Sequence, residues 1–410
     1  MELPPELANL TPPRVRPLWT ELDQKSFEEE APEAHSFSDF EFVRFIGSGV
    51  IGTVLLVRCK ANEKLYAMKL VPKAYASETP QRRKRMMFEQ QILSEAKHPF
   101  IGRLRWSFQT LHYLVYVMDY YSRGTLTKLQ LKQPKFFFSE KAVRFFASQV
   151  VIALEKVHRL GFIYRDVKTE NLVFSDDGYL VLIDFGYAKQ CATPELLEGL
   201  SGPQLTARVK KISPALSFVG TSQYVAPEVI DGTKQTSAVD WWSFGILLFQ
   251  LLFGETPFRD IDMESTFEKI KKSELRFPNS RPLSRECKSL VRSLLARKAS
   301  ERLGANGAKE VMAHPFFRGV DWRLRQYMER PPAYSLDTYP KPKEEAEDEE
   351  MDPKDKAALD DFLKADMEIL FPQTVARNPE LYKDVELWEH FDYNVSYKEP
   401  EEEMKHGKED

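Results

Sequence analysis

With 410 residues, 42% of them hydrophobic, the chain can bury a sizeable core and has room for more than one lobe. Its 58 Lys and Arg against 62 Asp and Glu give a net charge of −4, which excludes the global basic signature of a nucleic-acid-binding protein. Cys59, Cys191 and Cys287 lie far apart with no metal-ligand spacing, so no disulfide framework is expected and the sparse count fits a reducing compartment.

Residues 1–39 are rich in Pro and Glu without sustained periodicity and read as a flexible N-terminal extension. The opening Met1-Glu2-Leu3-Pro4-Pro5 lacks a basic region followed by an apolar run, so no secretory signal is expected. The longest apolar run, Phe244 to Phe253, is about half of the roughly twenty residues a membrane span needs. The expectation is therefore an intracellular chain, cytoplasmic or nuclear, with no transmembrane segment.

From Phe40 the pattern changes. Glu41-Phe42-Val43-Arg44-Phe45-Ile46 alternates loosely, Gly47-Ser48-Gly49-Val50-Ile51-Gly52 follows, and Thr53-Val54-Leu55-Leu56-Val57-Arg58 is strand-like again. A G-x-G-x-x-G between two strands, rather than between a strand and a helix, argues against a dinucleotide-binding fold and for a glycine-rich flap over a nucleotide. Glycine lets the backbone approach phosphate oxygens and offer N–H groups to them. The run Ile46 to Val54 is the first candidate nucleotide site, although an ordinary hairpin with three glycines has the same local pattern.

Leu65-Tyr66-Ala67-Met68-Lys69 is an apolar strand ending in a lysine, placed to reach the α- and β-phosphates. Such a lysine needs a carboxylate. The helical segment from Arg82 to Leu93 offers Glu89, with Glu78 and Glu95 as rivals. Tyr113-Leu114-Val115-Tyr116-Val117-Met118 is a further buried strand, and the backbone around Asp119 and Tyr121 after it is a candidate hinge that could pair with an adenine edge.

Ser139 and Glu140 start a helix whose apolar Val143, Phe146, Ala147, Val150, Val151, Leu154 and Val157 keep helical spacing. Beyond it stands Tyr164-Arg165-Asp166-Val167-Lys168-Thr169-Glu170-Asn171. An Asp with a Lys two residues on and an Asn five on has the spacing of a phosphoryl-transfer loop: a proton acceptor, a cation for a γ-phosphate and a magnesium ligand. Alone, the string also fits a solvated turn after a helix. Its partners decide. A hairpin signal at Asp176-Asp177-Gly178 leads to a β-type run ending in Asp184-Phe185-Gly186, where the Asp is placed to hold a magnesium ion. Ala226-Pro227-Glu228, Asp240-Trp241-Trp242 and Arg302, a partner for Glu228, follow in order.

These motifs, together with His314-Pro315-Phe316-Phe317 and Val320-Asp321-Trp322, resemble those of eukaryotic protein kinases, and Tyr-Arg-Asp in place of His-Arg-Asp resembles the AGC group of serine/threonine kinases. The resemblance implies an α+β, bilobal fold: a β-rich N-lobe at about 40–119 and a helical C-lobe at about 124–317 within a catalytic domain 40–317. It also implies an activation segment 184–228 and a C-terminal tail 318–410. An insertion between Lys189 and Ser217, with Ser217-Phe218-Val219-Gly220-Thr221, is similar to phototropin-type and fungal flippase-regulating kinases, while Ser-Phe-Val-Gly-Thr-x-Gln-Tyr is also similar to the phosphoinositide-dependent kinases.

The family resemblance implies ATP and Mg2+ as cofactors and protein substrates as partners. Asp166 would be the base, Lys168 would stabilise the moving phosphoryl group, and Asn171 and Asp184 would hold magnesium. Lys69, fixed by Glu89, would grip phosphates under Gly47 to Gly52, with Met118 behind the adenine. Ser217 matches the site for an upstream activating kinase, its phosphate pairing with Arg165. Thr221 matches the residue that contacts the catalytic Asp.

The departures matter as well. Thr169 stands where most relatives have Pro. Thr125, Gln223 and Gln250 match acidic positions of cyclic-AMP-dependent protein kinase, and only Glu170 of that set remains, so a weaker preference for upstream Arg is expected. In the tail, the acidic run 344–350 reads as a linker and a helix is expected from Asp355 to about Leu370. Trp388-Glu389-His390-Phe391-Asp392-Tyr393 resembles the hydrophobic motif of AGC kinases, whose aromatics dock on the N-lobe; Arg82, Arg83, Lys84 and Arg85 would receive Asp392, a fixed charge in place of a phosphorylated residue. A pseudokinase scaffold and a small-molecule kinase are the alternatives. The first is opposed by the full catalytic set, the second by the motifs that build a peptide groove.

Overall fold

The computed structural model describes residues 36–48, 51–110, 112–198, 222–279, 281–323, 388, 391 and 393–394. Most of the extension 1–39, residues 199–221 of the activation segment and the expected tail helix from Asp355 lie outside the described residues. Two units carry the rest: one takes 36–83, 104–120 and 388–394, the other 84–103 and 121–323.

In the first unit, β1 (Phe40–Ser48), β2 (Thr53–Cys59), β3 (Leu65–Pro72), β4 (Leu104–Gln109) and β5 (Tyr113–Asp119) form an antiparallel sheet in the order β1-β2-β3-β5-β4. The two-residue β10 (Tyr393–Asn394) adds to the β4 edge. Period-two alternation sends Leu55 and Val57, Tyr66, Met68 and Leu70, and Val115 and Val117 to one face, where they pack with Phe37, Phe40, Trp106 and Phe108. Phe40 and Tyr66 meet Trp106 edge-on, with ring centroids 5.6 and 4.9 Å away. Each such side chain, fully buried, contributes about 1.5–3 kcal/mol.

A short helix α1 (Lys73–Ser77) leads to α2 (Pro80–Glu95), whose residues from Lys84 onward belong to the second unit. The sequence pattern places this helix at 82–93; it starts earlier because the Thr79 hydroxyl accepts the Arg82 N–H at 3.2 Å and Pro80 is pre-set for a first helical turn.

The second unit is helical, built on α3 (Glu140–Arg159), α4 (Ala238–Phe253), α5 (Met263–Lys272) and α6 (Arg285–Leu294). Ser139 caps α3 by accepting from the Ala142 N–H at 3.3 Å, and every apolar position expected to face the core is buried. α4 is buried on nearly all sides, as its almost uninterrupted apolar sequence dictates, and ends at Gly254 with φ 87°, the left-handed cap that glycine adopts without steric cost. Two strand pairs lie beside these helices: β6 (Phe162–Ile163) with β9 (Lys189–Gln190), and β7 (Leu172–Phe174) with β8 (Leu180–Leu182). The hairpin expected at Asp176-Asp177-Gly178 joins β7 to β8, with Gly178 at φ 85°. No described helix is long and apolar enough to cross a membrane.

Candidate active site

β6 ends at Ile163 and the chain turns through Tyr164 to Asn171 before β7. Within the turn Asp166 Oδ2 accepts from Lys168 Nζ at 2.7 Å and from Asn171 Nδ2 at 2.7 Å, and Asn171 Nδ2 also donates to the Asp166 carbonyl at 3.0 Å. Three of the predicted catalytic residues are thus joined in one knot. Burial pushes the Asp166 carboxyl up from its ordinary value, and the Lys168 and Asn171 contacts offset part of that rise.

The loop is strapped from beneath. Asp240, fully buried at the start of α4, accepts the Tyr164 N–H at 2.8 Å and the Arg165 N–H at 2.7 Å, and pairs with His158 Nε2 of α3 at 2.7 Å. Arg165 takes φ 67°, a left-handed conformation that a non-glycine residue holds only when its surroundings enforce it.

Asp184, at φ 59°, follows β8 and Ile183; its Oδ1 accepts from the Gly186 N–H at 3.3 Å. Phe185 is fully buried, and its ring packs on that of Tyr164 at 5.1 Å, while the Tyr164 hydroxyl donates to the Ile183 carbonyl. The Asp-Phe-Gly stretch is therefore fastened to the loop of Asp166. Asp184 and Asn171 supply a carboxylate and an amide oxygen, hard ligands suited to Mg2+, which takes its remaining ligands from water and phosphate. The donor set fits the ion. Among the described residues no cluster of three or more His, Cys, Asp or Glu is placed to hold a metal ion.

In the first unit the antiparallel register aligns Gly47 with Val54 and Val54 with Lys69, so the lysine lies across the sheet from the glycine-rich hairpin. A Cβ at Gly52 would stand 2.2 Å from the Leu70 carbonyl oxygen, so only glycine fits there, while a Cβ at Gly47 meets nothing within 4 Å. Ile46 and Phe45 are exposed; Gly49 and Val50 lie outside the described residues. Lys69 is buried with its ammonium 5.8 Å from the Tyr116 ring centre. The Asp119 carboxylate is held by Arg105, at 2.6 Å to Nε and 3.2 Å to a terminal nitrogen, so only its backbone is left for the hinge role expected of it. Tyr121, the other hinge candidate, is half-buried at the start of the second unit's long segment.

Of the three carboxylates weighed against Lys69, Glu78 pairs with Arg82 on the surface and exposed Glu95 accepts from Gln91 at 2.9 Å. Glu89 alone of the three is buried, at 1% exposure. Lys69 and Glu89 belong to different units.

Glu228 and Arg302 meet as expected: two nearly parallel bonds, 2.6 and 2.9 Å, with Arg302 fully buried and donating also to the Ala238 and Ala296 carbonyls. Arg165 donates to the Tyr187 carbonyl at 2.8 Å; burial, and after it the charge of Arg85, pushes its guanidinium down to about 10. Burial followed by Arg165, Arg85 and Lys84 lowers Lys189 as well, so this cluster is a strongly positive environment. Ser217 and Thr221 lie outside the described residues.

The residues that replace acidic positions have local bonds of their own. Thr125 caps the helix Leu126–Leu131 by accepting the Lys128 N–H at 3.2 Å, and Gln223 accepts from Thr256 at 2.7 Å. Gln250 accepts the Tyr224 hydroxyl and donates to Gln130 at 3.2 Å. Thr169 is more than a missing proline: fully buried, its hydroxyl bonds Thr127 at 2.8 Å and reaches Glu170 at 3.2 Å.

The described tail residues seat on the sheet as the aromatic motif implies. Trp388 and Phe391 are fully buried. Ser107 donates to the Phe391 carbonyl at 2.6 Å, Gln109 to the Trp388 carbonyl at 3.1 Å, and the Trp388 indole to Ser77 at 3.4 Å. The Phe391 ring stands edge-on to Tyr116 at 5.0 Å. Asp392 lies outside the described residues.

Sequence reasoning names Asp240 only as part of a motif and passes over His158 and Glu195. Their burial beside the catalytic loop depends on contacts from distant parts of the chain, which no local spacing signals.

The protein kinase domain model matches residues 40–317. The chain is 40% identical over 338 residues to flippase kinase 1 of Saccharomyces cerevisiae, covering 80% of this chain and 37% of that protein. It is 39% identical over 307 residues to the serine/threonine-protein kinase nrc-2 of Neurospora crassa, covering 71% and 49% respectively. It is 36% identical over 329 residues to phototropin-2 of Oryza sativa, covering 78% and 36%. The matched region thus spans about a third to a half of these relatives.

Proposed function

The chain belongs to the protein kinase domain family, and from that premise we propose that it is an AGC-type kinase transferring the γ-phosphate of ATP to serine or threonine hydroxyls of proteins. One observation carries the reading: Asp166 is knotted to Lys168 and Asn171 in a loop fastened to both Asp184-Phe185-Gly186 and Asp240. In this reading Asp166 orients the substrate hydroxyl and takes its proton, and Lys168 neutralises charge on the transferring group. Asn171 and Asp184 would hold magnesium, which would supply positive charge against the phosphate oxygens. Lys69, braced by Glu89, grips the α- and β-phosphates beneath Gly47 to Gly52, and the backbone at Asp119 and Tyr121 pairs with the adenine edge. Ser217 is the site for an upstream kinase, and the chain works in the cytoplasm or the nucleus.

Substrate choice departs from strongly basophilic kinases. Thr125, Gln223 and Gln250 are neutral and engaged locally, leaving Glu170 as the carboxylate that reads upstream Arg.

Phosphate transfer from radiolabelled ATP to a protein or peptide, present in wild type and lost in Asp166→Asn, tests the reading. Equal, background incorporation by both, with ATP still bound, would instead establish a scaffold.

A further inference from the structure

The stretch after β9 enters the insertion, and it does not leave the catalytic machinery when it does so. Thr193, buried, donates its hydroxyl to the His158 carbonyl and caps the one-turn helix Pro194–Leu197 by accepting the Leu196 N–H at 3.3 Å. The seat is built for this turn. Gly161 takes φ 83°, and a Cβ there would fall 2.7 Å from the Leu196 side chain. Glu195 is 7% exposed, and its Oε1 accepts the Ala308 N–H at 2.9 Å. The same oxygen lies 3.6 Å from Nδ1 of His158, whose other nitrogen is 2.7 Å from Asp240. Among the described residues Nδ1 has no partner at hydrogen-bonding distance, so the Glu195 carboxylate is the charge that faces it.

The imidazole therefore stands between two carboxylates. Asp240 Oδ2 receives His158 and the Tyr164 N–H, while Oδ1 receives the Arg165 N–H. We propose that Glu195, at the entrance of the activation-segment insertion, is a positioning residue for phosphoryl transfer, acting through His158 to keep Asp240 a fixed double acceptor for the backbone beside Asp166. This rests on the kinase reading above.

The electrostatics agree. Burial alone would depress His158, but the hydrogen bond to Asp240 and then the nearby Glu195 carboxylate outweigh it and hold the imidazole up at about 10. Burial would raise Glu195, and His158 outweighs that too, holding the carboxyl below its ordinary value. The remaining charged groups around the site have partners of their own. Arg159, next along α3, bonds Glu155 and approaches Glu198 at 3.7 Å; Lys309 pairs with Glu198; Arg165 and Cys191 flank Asp240. The Trp241 ring stands edge-on to His158 at 5.5 Å and excludes water from that side.

Facing Glu195 and Asp240, a doubly protonated imidazole carries its charge through neutral pH. Removing the Glu195 charge lowers the His158 pKa, so at mildly alkaline pH the ring becomes neutral and the Asp240 clamp loses its charge-assisted partner; on acidification the ring recharges.

The test is Glu195→Gln in the full chain, whose amide oxygen can still accept from Ala308. The expected result is a several-fold loss of kcat at pH 8.5 that shrinks towards wild type at pH 6.5, with KM for ATP within about twofold throughout. In a His158→Gln background the same change should have no further effect on kcat. A kcat ratio that is constant across pH, or full additivity with His158→Gln, would overturn the proposal. Wild-type imidazole 15N shifts give an arm independent of activity and of whether the variant folds. Signals of a doubly protonated His158 at pH 8 support the assignment, and a neutral tautomer there refutes it. If wild type transfers no phosphate at all, the kinase reading fails, while the 15N result still judges the Glu195–His158 pairing.

Discussion

The carboxylate of Asp240 accepts the backbone N–H of Arg165 at 2.7 Å and fixes that residue in a left-handed conformation, φ 67°, immediately before the proposed catalytic base. The two residues lie 75 positions apart in sequence, so the geometry of the loop depends on the α4 N-terminus. Strain at Arg165 is tolerated because the clamp and the burial around it over-determine the backbone.

Asp240→Asn replaces an acceptor with a group that points N–H at N–H or turns away, leaving His158 with one carboxylate. The expected outcome is a loss of stability of about 3–5 kcal/mol and a fall in kcat on the order of 100-fold, since the reacting groups are displaced without leaving the site. Chemical denaturation and steady-state kinetics check this; a variant with wild-type kcat would show that the clamp does not set the loop.

The pH dependence of kcat/KM should carry an acidic limb above the ordinary carboxylate range. Burial raises Asp166, so the base loses its proton-accepting form at a higher pH than a solvated Asp as the solution is acidified. Lys168 holds that rise in check, so Lys168→Ala should move the limb to still higher pH while lowering kcat. A limb that stays put in the variant contradicts the assignment.

Glu228 and Arg302 form a bidentate pair with Arg302 fully buried. Arg302→Ala leaves Glu228 without its countercharge and should cost about 3–5 kcal/mol. Arg302→Lys keeps the charge but loses the two-pronged geometry, so it should recover only part of that stability. Thermal and urea unfolding of the two variants give the comparison.

Phe391 is fully buried against Tyr116 and Trp388. Phe391→Ala should weaken tail docking by about 3–5 kcal/mol and lower activity, whereas Asp392→Ala should lower it less. Unchanged kinase activity after deletion of residues 384–410 would remove any catalytic role for the docked tail.

In a degenerate peptide library, Arg two and three residues before the acceptor should not dominate selection. Strong selection there would mean that groups other than Thr125, Gln223 and Gln250 read the substrate. Restoring charge with Gln250→Glu should increase Arg preference, although it also disturbs the Tyr224 and Gln130 bonds.

By itself the sequence determined the order of motifs and the strand and helix periodicities, and it marked Asp166, Lys168, Asn171 and Asp184 as candidates, because those depend on spacings of a few residues that local geometry converts directly into position. It also marked Arg302 for Glu228 and the aromatics of the tail. Only the tertiary structure decided which of three glutamates is buried, since burial follows from what packs on α2 and not from its own pattern. It alone showed that the hydroxyl of the buried Thr169 bonds Thr127 instead of merely replacing a proline. The chain Glu195–His158–Asp240 was likewise invisible in advance: its members come from three elements, and hydrogen bonds between distant segments leave no periodic trace in the sequence that folds to make them.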